Sequence, residues 1–237
     1  MKKSLIALSL AICSASTFAS EWGYEGEHGP ENWGHVSETC SAGKNQSPID
    51  ISNAEKATHK PLAIHYSGKV TALTNNGHTL QATVEGDNEI VVDGKHFALK
   101  QFHFHTPSEN LIKHHQYPLE AHFVNADENG NLAVVAVMFD QGSDNPFIAS
   151  LTQTLPTKEH TQTLAKSFDV ASLLPDTAQY YRFNGSLTTP PCSEGVRWFV
   201  MKQPQGLSAD QLEKMHGMLG NNNRPVQDIN ARLVTEY

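Results

Sequence analysis

The sequence predicts a single, predominantly β domain (α+β) in which a large, mostly antiparallel, twisted central sheet carries a few peripheral helices. Short segments rich in β-branched and aromatic residues alternate with turn dipeptides such as Asn76-Gly77, Asp93-Gly94 and Asn129-Gly130. Helical apolar spacing occurs at only two places, both late in the chain. No internal repeat, low-complexity stretch or linker rich in Pro, Gly and Ser divides the 237 residues.

Seven segments have the composition and the flanking turns of strands. They are residues 70–73, 78–84, 89–92, 97–105, 120–125, 132–139 and 196–202. The stretch 21–45 shows neither the apolar spacing of a helix nor the alternation of a strand. It is predicted to be ordered coil with aromatic anchors. A turn-and-proline segment at 183–191 is expected to lead into the last strand.

Two helices are predicted at the periphery. Asn145-Pro146 supplies a cap and a proline at the first helical position, and apolar residues follow at helical spacing as far as Leu155. Ser208 and Gln211 have the spacing of a capping box, and Gly220 marks the end of the second helix.

The first 19 residues have the form of a secretory signal peptide, which leaves residues 20–237 as the domain. Lys2 and Lys3 precede a short apolar run, and small residues lead to a cleavage site near Ala19 or Ser20. No later apolar stretch approaches the roughly 20 residues that a spanning helix needs. The sequence therefore predicts an exported protein, with the bacterial periplasm as its compartment.

Charge and cysteine content narrow the classes of partner. Removing Lys2 and Lys3 with the leader changes the formal charge from −8 to −10, which disfavours nucleic acid and anionic membranes as partners. Cys40 and Cys192 then remain, and an even pair in an exported protein predicts a disulfide, with two unrelated buried thiols as the alternative. By closing a long loop, the bridge would stabilise the folded protein by roughly 5 kcal/mol in the chain-entropy model.

The segment from Gln101 to His105 is the first that indicates chemistry. In a strand, His103 and His105 share one face with Gln101, while two phenylalanines face the opposite side. An H-x-H pair alone is weak evidence, because most such pairs lie on a solvated sheet face. Glu120 and His122 follow the same alternation on the next predicted strand, so pairing of the two strands would bring three histidines together.

Three neutral nitrogen ligands with an open fourth position describe a catalytic zinc site. Ligand imidazoles usually bond through their other nitrogen to an acceptor that fixes their orientation. Gln101 and Glu120 each stand two residues from a histidine and are candidates for that task.

Several further segments, spread in order from about Trp22 to Gln227, carry a resemblance to one known family. They are Trp22-Gly23-Tyr24, Gln46-Ser47-Pro48, Asn75-Asn76-Gly77-His78, Gln101 to Glu109, Glu120-Ala121-His122, Gly185 to Pro191 and Asn223-Arg224-Pro225. In these segments the chain resembles the α-class carbonic anhydrases, particularly the exported bacterial ones.

The resemblance implies a zinc enzyme with one Zn²⁺ per chain, held by His103, His105 and His122, that hydrates carbon dioxide reversibly to bicarbonate and a proton. The attacking group in the family is a zinc-bound hydroxide. The threonine matching Thr188 accepts a hydrogen bond from it and donates one to the glutamate matching Glu109. The resemblance also implies that Gln101, Glu120 and Asn222 support the ligand histidines from outside the metal site.

Further roles follow from the same resemblance. His78 matches the family's proton shuttle, and Tyr24, Asn75 and Asn76 match residues that order the connecting waters. The residues matching the substrate pocket are Val124, Val134, Leu187, Thr189, Val196 and Trp198. Cis peptide bonds before Pro48 and Pro191 are implied, as are inhibition by sulfonamides and small anions and a monomeric or homodimeric state.

Two other classes of function are compatible with part of the sequence. His103, His105 and Glu109 have the spacing of the first motif of a cupin-like barrel, which would imply iron or manganese chemistry, although Phe97 stands where that motif wants glycine. The second alternative is a non-catalytic zinc-binding protein that keeps the fold. Loss of a ligand or of Thr188 would signal it, and neither is lost.

Overall fold

A computed structural model describes residues 21–58, 62–153 and 155–237. The predicted signal peptide, residues 1–19, lies outside the described residues. The strands in chain order are β1 (Asp50–Ile51), β2 (Glu55–Lys56), β3 (Ala63–Tyr66), β4 (Lys69–Asn75), β5 (Leu80–Glu85), β6 (Asn88–Val92), β7 (Lys95–His105), β8 (Leu111–Ile112), β9 (His115–Gln116), β10 (Leu119–Ala126), β11 (Leu132–Gln141), β12 (His160–Asp169), β13 (Tyr180–Ser186), β14 (Glu194–Met201), β15 (Gln205–Leu207) and β16 (Thr235–Glu236).

The predicted predominantly β fold is confirmed. Within the described ranges, one sheet of 13 strands has the main path β12-β4-β5-β7-β10-β11-β14-β13-β16-β2. Most neighbours are antiparallel, but β11 runs parallel to β14 near the middle of the sheet. The path ends at β12 on one side and β2 on the other, so the alternative of a cupin-like barrel is wrong. A smaller sheet joins β1, β8 and β9.

The helices are few and peripheral, as the sequence predicted. They are α1 (Thr39–Ala42), α2 (Pro146–Thr152) and α3 (Ala209–Leu219). Asn145 caps α2 through bonds from two backbone N–H groups, and Ser208 with Gln211 forms the expected capping box of α3. Among the residues described, no helix is long and apolar enough to cross a membrane.

Three local predictions were wrong. Residues predicted as coil contain 3-10 helices at Gly26–His28 and Pro30–His35 as well as α1. These turns close because the Trp33 indole donates to the carbonyls of Gly23 and His28, at 2.9 and 3.0 Å. The supposed turn segment at 183–191 is strand as far as Ser186, because β13 pairs with β14. Helix α2 ends at Thr152, short of Leu155.

Two apolar clusters cover the opposite faces of the sheet. The larger contains Phe102, Phe104 and Phe123, all fully buried. The second contains Val134 and Trp198, whose next residues along β11 and β14, Val135 and Phe199, belong to the first cluster. The two phenylalanines predicted to back the histidine pair therefore lie in the main core, and the histidines point to the face of the second cluster. Close packing of this kind holds β7 and β10 rigidly.

Candidate metal centre

Strand pairing brings the three histidines together. Strand β7 is antiparallel to β10, with His103 directly opposite His122 and His105 opposite Glu120. One nitrogen from each of the three imidazoles lies within 4.8 Å of the other two. His105 and His122 are each only 1% exposed, so two of the three rings are shielded from solvent.

In each imidazole, the nitrogen that points away from the cluster forms a hydrogen bond with an oxygen acceptor. His103 Nδ1 lies 2.8 Å from Gln101 Oε1, His105 Nδ1 lies 2.7 Å from the Asn222 carbonyl, and His122 Nε2 lies 2.9 Å from the carboxylate of Glu120. An imidazole that donates to an acceptor at one nitrogen presents a lone pair at the other when it is neutral. The free nitrogens are therefore Nε2 of His103 and His105 and Nδ1 of His122.

Burial keeps these rings neutral. It holds the pKa values of His103 and His122 well below the ordinary histidine value, and the neighbouring imidazoles lower them further. Burial also lowers the pKa of His105, although its bond to Asn222 and the charge of Glu120 oppose that shift. His105 Nε2 is buried without a hydrogen-bond partner among the described residues. Three neutral nitrogens, of which one is buried without a hydrogen-bond partner in the described part of the chain, fit the donor set of a zinc ion that keeps one coordination position open.

Glu120 is fixed by a network of hydrogen bonds. Its carboxylate accepts bonds from the backbone N–H groups of Glu109 and Asn110, at 2.7 and 2.9 Å, and from the Asn110 side chain at 2.8 Å. Burial raises the pKa of Glu120, and the bonds from Asn110 oppose that rise. A carboxylate held this firmly fixes the orientation of His122 as well.

Glu109 lies beside the imidazole cluster and is itself buried. Its Oε1 accepts a bond from the backbone N–H of Arg224 at 2.8 Å, and its Oε2 lies 3.5 Å from His105 Nε2 and 3.8 Å from His122 Nδ1. Burial raises the pKa of Glu109 well above the ordinary value, and hydrogen bonds from Arg224 and from the Thr188 side chain oppose that rise. Thr188 therefore lies near Glu109 at the edge of the cluster.

Thr188 lies on the connection between β13 and β14, which a disulfide ties to α1. The predicted bridge between Cys40 and Cys192 is confirmed, with a Cα–Cα distance of 5.0 Å. Within the connection, Cys192 N donates to the Thr189 carbonyl at 2.8 Å and Leu187 N to the Ser193 carbonyl at 3.0 Å. Cis peptide bonds precede Pro48 and Pro191, as the resemblance implied, and a third precedes Pro107.

A cavity of about 160 Å³ opens above His103 and His105. Its walls include Tyr24, Asn76, His78 and Thr189, which were predicted for the site. They also include residues to which the sequence alone assigned no role: Trp22, Thr79 and Gln81. Gln81 pairs directly with His103 across β5 and β7, and the offset of those two strands was not predictable from either segment alone.

His78 stands at this cavity against an aromatic ring. Its imidazole stacks on Trp22, with centroids 3.9 Å apart and planes 10° from parallel. Burial and the charge of Lys158 lower the pKa of His78, whereas Glu21 raises it. At the same cavity, burial and the charge of Glu109 raise the pKa of Tyr24 well above the ordinary tyrosine value.

The structure does not bring Asn75 into the cavity. Its amide nitrogen donates to the Pro156 carbonyl at 3.4 Å and lies 3.2 Å from the Met218 sulfur, while its oxygen accepts from Gly77 N. Asn76 is the amide of the pair that lines the cavity, and its oxygen accepts from the backbone N–H of His78 at 3.0 Å. Of the two asparagines, only Asn76 stays a candidate for ordering water.

An apolar wall lies beside His122. The Trp198 ring meets the His122 ring edge to face at 4.9 Å, and its indole donates to the Ser186 carbonyl at 3.0 Å. Val124, Val134 and Trp198 stand side by side across β10, β11 and β14. Leu187 and Val196 belong to the same cluster.

Comparison with known proteins gives consistent matches over nearly the whole chain. Residues 28–237 match the family model described as eukaryotic-type carbonic anhydrase. The carbonic anhydrase of Klebsiella pneumoniae is 47% identical over 236 residues, which cover 97% of this chain and 96% of that protein. The structure of Photobacterium profundum alpha-carbonic anhydrase matches with a TM-score of 0.89 at 57% identity, covering 91% of this chain and 100% of the other. The alpha-carbonic anhydrase of Thermovibrio ammonificans, solved with the inhibitor sulfanilamide, matches with a TM-score of 0.88 at 48% identity, covering 91% and 98%.

Proposed function

This chain belongs to the eukaryotic-type carbonic anhydrases, zinc-dependent enzymes of carbon dioxide hydration, and we propose that it hydrates carbon dioxide at a zinc ion held by His103, His105 and His122. The observation that carries the proposal is the set of three neutral, buried imidazoles whose free nitrogens lie within 4.8 Å of one another. When bound, zinc lowers the pKa of a coordinated water to about 7, as it does in the carbonic anhydrases themselves, and so supplies a nucleophile at neutral pH.

The residues around the ion hold it without cancelling its charge. Neutral imidazoles leave the ion its full double charge, which favours the acidity of its water. Gln101, Glu120 and the Asn222 carbonyl fix the ring orientations through the bonds at 2.7–2.9 Å. Such outer partners typically change metal affinity by about 10–100-fold when they are removed.

Thr188 and Glu109 orient the nucleophile. With its O–H hydrogen-bonded to the Glu109 carboxylate, the Thr188 hydroxyl would offer only lone pairs toward the reaction centre. Thr188 would therefore accept a hydrogen bond from the nucleophile, which would leave a lone pair of the nucleophile facing the substrate carbon. Arg224 N holds the far oxygen of Glu109, which keeps the carboxylate from rotating away. This contribution is one of orientation rather than of charge.

The apolar wall receives the substrate. Carbon dioxide is small and uncharged, so it has more to gain from apolar surface than from donors. Val124, Val134, Leu187, Val196 and Trp198 form that surface beside His122. Thr189 lines the cavity above His103 and His105 and belongs to the same proposed pocket.

His78 returns the proton to solvent. Its imidazole lies at the cavity wall, where neutral histidine accepts a proton near neutral pH. Tyr24 and Asn76 border the space between His78 and the metal-binding rings and order the water that carries the proton across it.

The compartment and the inhibitors belong to the same proposal. The disulfide and the leader-like first 19 residues support export to an oxidising compartment, which for a bacterial chain is the periplasm. The match to a relative solved with sulfanilamide supports inhibition by sulfonamides, which compete with the nucleophile for the open position, as small anions do.

Stopped-flow hydration of carbon dioxide tests the proposal. The purified chain should carry one equivalent of zinc, lose hydration activity when a chelator removes the metal, and regain it on zinc addition. Sulfanilamide should inhibit the restored activity. A chain that binds one zinc yet gives no hydration would instead be a non-catalytic zinc-binding protein. Full activity in the stripped protein would refute the three-histidine site.

A further inference from the structure

The side chain of Asn222 joins the metal-binding strand to the turn that carries His78. Asn222 follows α3 and is 1% exposed. Its backbone carbonyl accepts the bond from His105 Nδ1 described above. Its side chain makes three further bonds: Oδ1 accepts from Thr106 N at 2.8 Å, and Nδ2 donates to the carbonyls of Phe104 at 2.9 Å and His78 at 3.1 Å. Backbone and side chain thus serve different parts of the site.

These bonds lie where the sheet opens. Strands β5 and β7 pair at Ala82 with Phe102 and at Gln81 with His103, and the pairing stops there. Beyond that point, hydrogen bonds from two side chains replace the backbone hydrogen bonds between the strands. Thr79 Oγ1 donates to the Phe104 carbonyl at 2.6 Å, and Asn222 spans from the same carbonyl to that of His78. The Phe104 N–H also donates to Thr79 Oγ1 at 3.2 Å, so Thr79 and Asn222 together set the width of the gap, and Asn222 is the one that reaches the His78 carbonyl.

The side-chain oxygens of Asn75 and Asn76 make hydrogen bonds within the turn. Asn75 Oδ1 accepts from Gly77 N, and Asn76 Oδ1 accepts from His78 N at 3.0 Å and Thr79 N at 2.9 Å. They set the shape of the turn, whereas its distance from the metal-binding histidines depends on bonds that cross the gap. Proton transfer through ordered water is sensitive to such distances.

We propose that the Asn222 side chain is a positioning residue for proton return, because it holds the His78 turn at a fixed distance from His105. The inference rests on the proposed function and deepens it. The two tasks of Asn222 are separable by mutation: any residue at this position keeps the carbonyl that orients His105, whereas only the amide side chain reaches the His78 carbonyl.

Asn222→Ala tests the proposal, and Asn88→Ala is its matched control. Asn88 is also buried, and its side chain makes the same kinds of bond away from the site. Its Oδ1 accepts from Gly68 N, and its Nδ2 donates to the carbonyls of Glu85 and Gly86, at 3.0–3.3 Å. Both variants remove one acceptor and two donated bonds to backbone, so a loss of stability alone should affect the two alike.

The kinetic readout separates proton return from hydration. In weak buffer, the zinc-loaded Asn222→Ala protein should show a kcat about tenfold lower, with kcat/KM changed less than about twofold, and added imidazole should restore kcat. Asn88→Ala should keep the wild-type kcat and imidazole response. If kcat and kcat/KM of Asn222→Ala fall together and imidazole restores neither, Asn222 acts on the metal site alone and the proposal is wrong.

Hydrogen exchange supplies a readout that is independent of activity. In the zinc-loaded Asn222→Ala protein, peptides covering residues 74–80 should exchange faster than in the wild type, while the Asn88→Ala protein should retain wild-type exchange there. Equal protection of the turn in Asn222→Ala and wild type would overturn the proposal. If alanine prevents folding, Asn222→Asp keeps the acceptor for Thr106 but places an oxygen against the His78 carbonyl, and the same outcomes apply.

Failure of this proposal differs from failure of the proposed function. A wild-type chain without zinc or hydration activity would remove the function itself. A wild-type chain with both, whose kcat is insensitive to Asn222→Ala, would remove only the positioning role.

Discussion

Removing the Cys40–Cys192 disulfide gives the sharpest test of how the fold supports the site. The bridge joins residues 152 positions apart and is buried, with Cys192 0% and Cys40 7% exposed. Closing a loop of that length lowers the entropy of the unfolded chain by an amount worth about 5 kcal/mol at 25 °C. For a domain of this size, that free energy corresponds to a melting temperature about 10–20 °C lower in the Cys40→Ala/Cys192→Ala variant.

Thermal and urea unfolding at fixed zinc concentration provide the assay, because bound metal stabilises the folded state by mass action. Wild-type protein unfolded under reducing conditions is the control, and it should reproduce the stability of the double variant. The urea midpoint should fall, with little change in slope if the unfolded states are similarly open. A loss of stability below about 1 kcal/mol would refute the loop-entropy reasoning for this chain.

The same variant has a local consequence. Cys192 closes the connection that carries Thr188, through its bond to the Thr189 carbonyl and its link to α1. Hydrogen exchange in residues 187–193 should therefore increase at temperatures where the rest of the sheet stays protected. Unchanged protection of this connection would show that the bonds between Leu187 and Ser193 hold it without the disulfide.

The remaining predictions concern the site itself. His122→Ala should weaken zinc binding by more than about 100-fold, because changing only an outer partner of a ligand already costs about 10–100-fold; stoichiometric zinc in the dialysed variant would contradict this. Glu109→Gln should retain zinc but lower kcat/KM about 100-fold, because an amide N–H facing Thr188 reverses the bond that orients its hydroxyl; metal analysis with stopped-flow rates decides it. His78→Ala should lower kcat at least about tenfold in weak buffer and recover with imidazole. In the wild type, kcat should rise with pH through a midpoint below about 6.5, because burial and Lys158 lower the pKa of His78 and its neutral form accepts the proton.

The fold and the histidine cluster were predictable because their signals are local. Alternation along β7 separates His103 from Phe102, and the same rule on β10 aligns His122, so only the pairing of two neighbouring strands had to be inferred. The edge strand β12 was not predicted, because its residues are mostly exposed and carry little apolar alternation. Only Leu164 and Phe168 of this strand pack against the core, and a strand whose inward side chains are few and half-buried leaves a weak periodic signal.

The finer contacts of the site depend on residues distant in sequence, and local patterns carry no information about them. The Asn222 carbonyl meets His105 across 117 positions, and Arg224 N meets Glu109 across 115. The same limit explains Asn75 and Asn76, which are adjacent in sequence and identical in type. Only the packing of Asn75 against Pro156 and Met218 shows which of the two faces away from the cavity.

These long-range contacts divide the site into a rigid part and a tethered part. The metal-binding imidazoles project from paired strands backed by the main core, whereas Thr188 lies on the connection between β13 and β14 and His78 on the connection between β4 and β5. Each connection is tied to the ligand strands or their loop by a buried polar bond, through Glu109 for one and Asn222 for the other. Substitutions at these ties should therefore alter orientation and proton return before they alter metal affinity. Substitutions at the imidazoles should lower metal affinity first. Measuring both metal content and kcat for each variant therefore shows to which part a residue belongs.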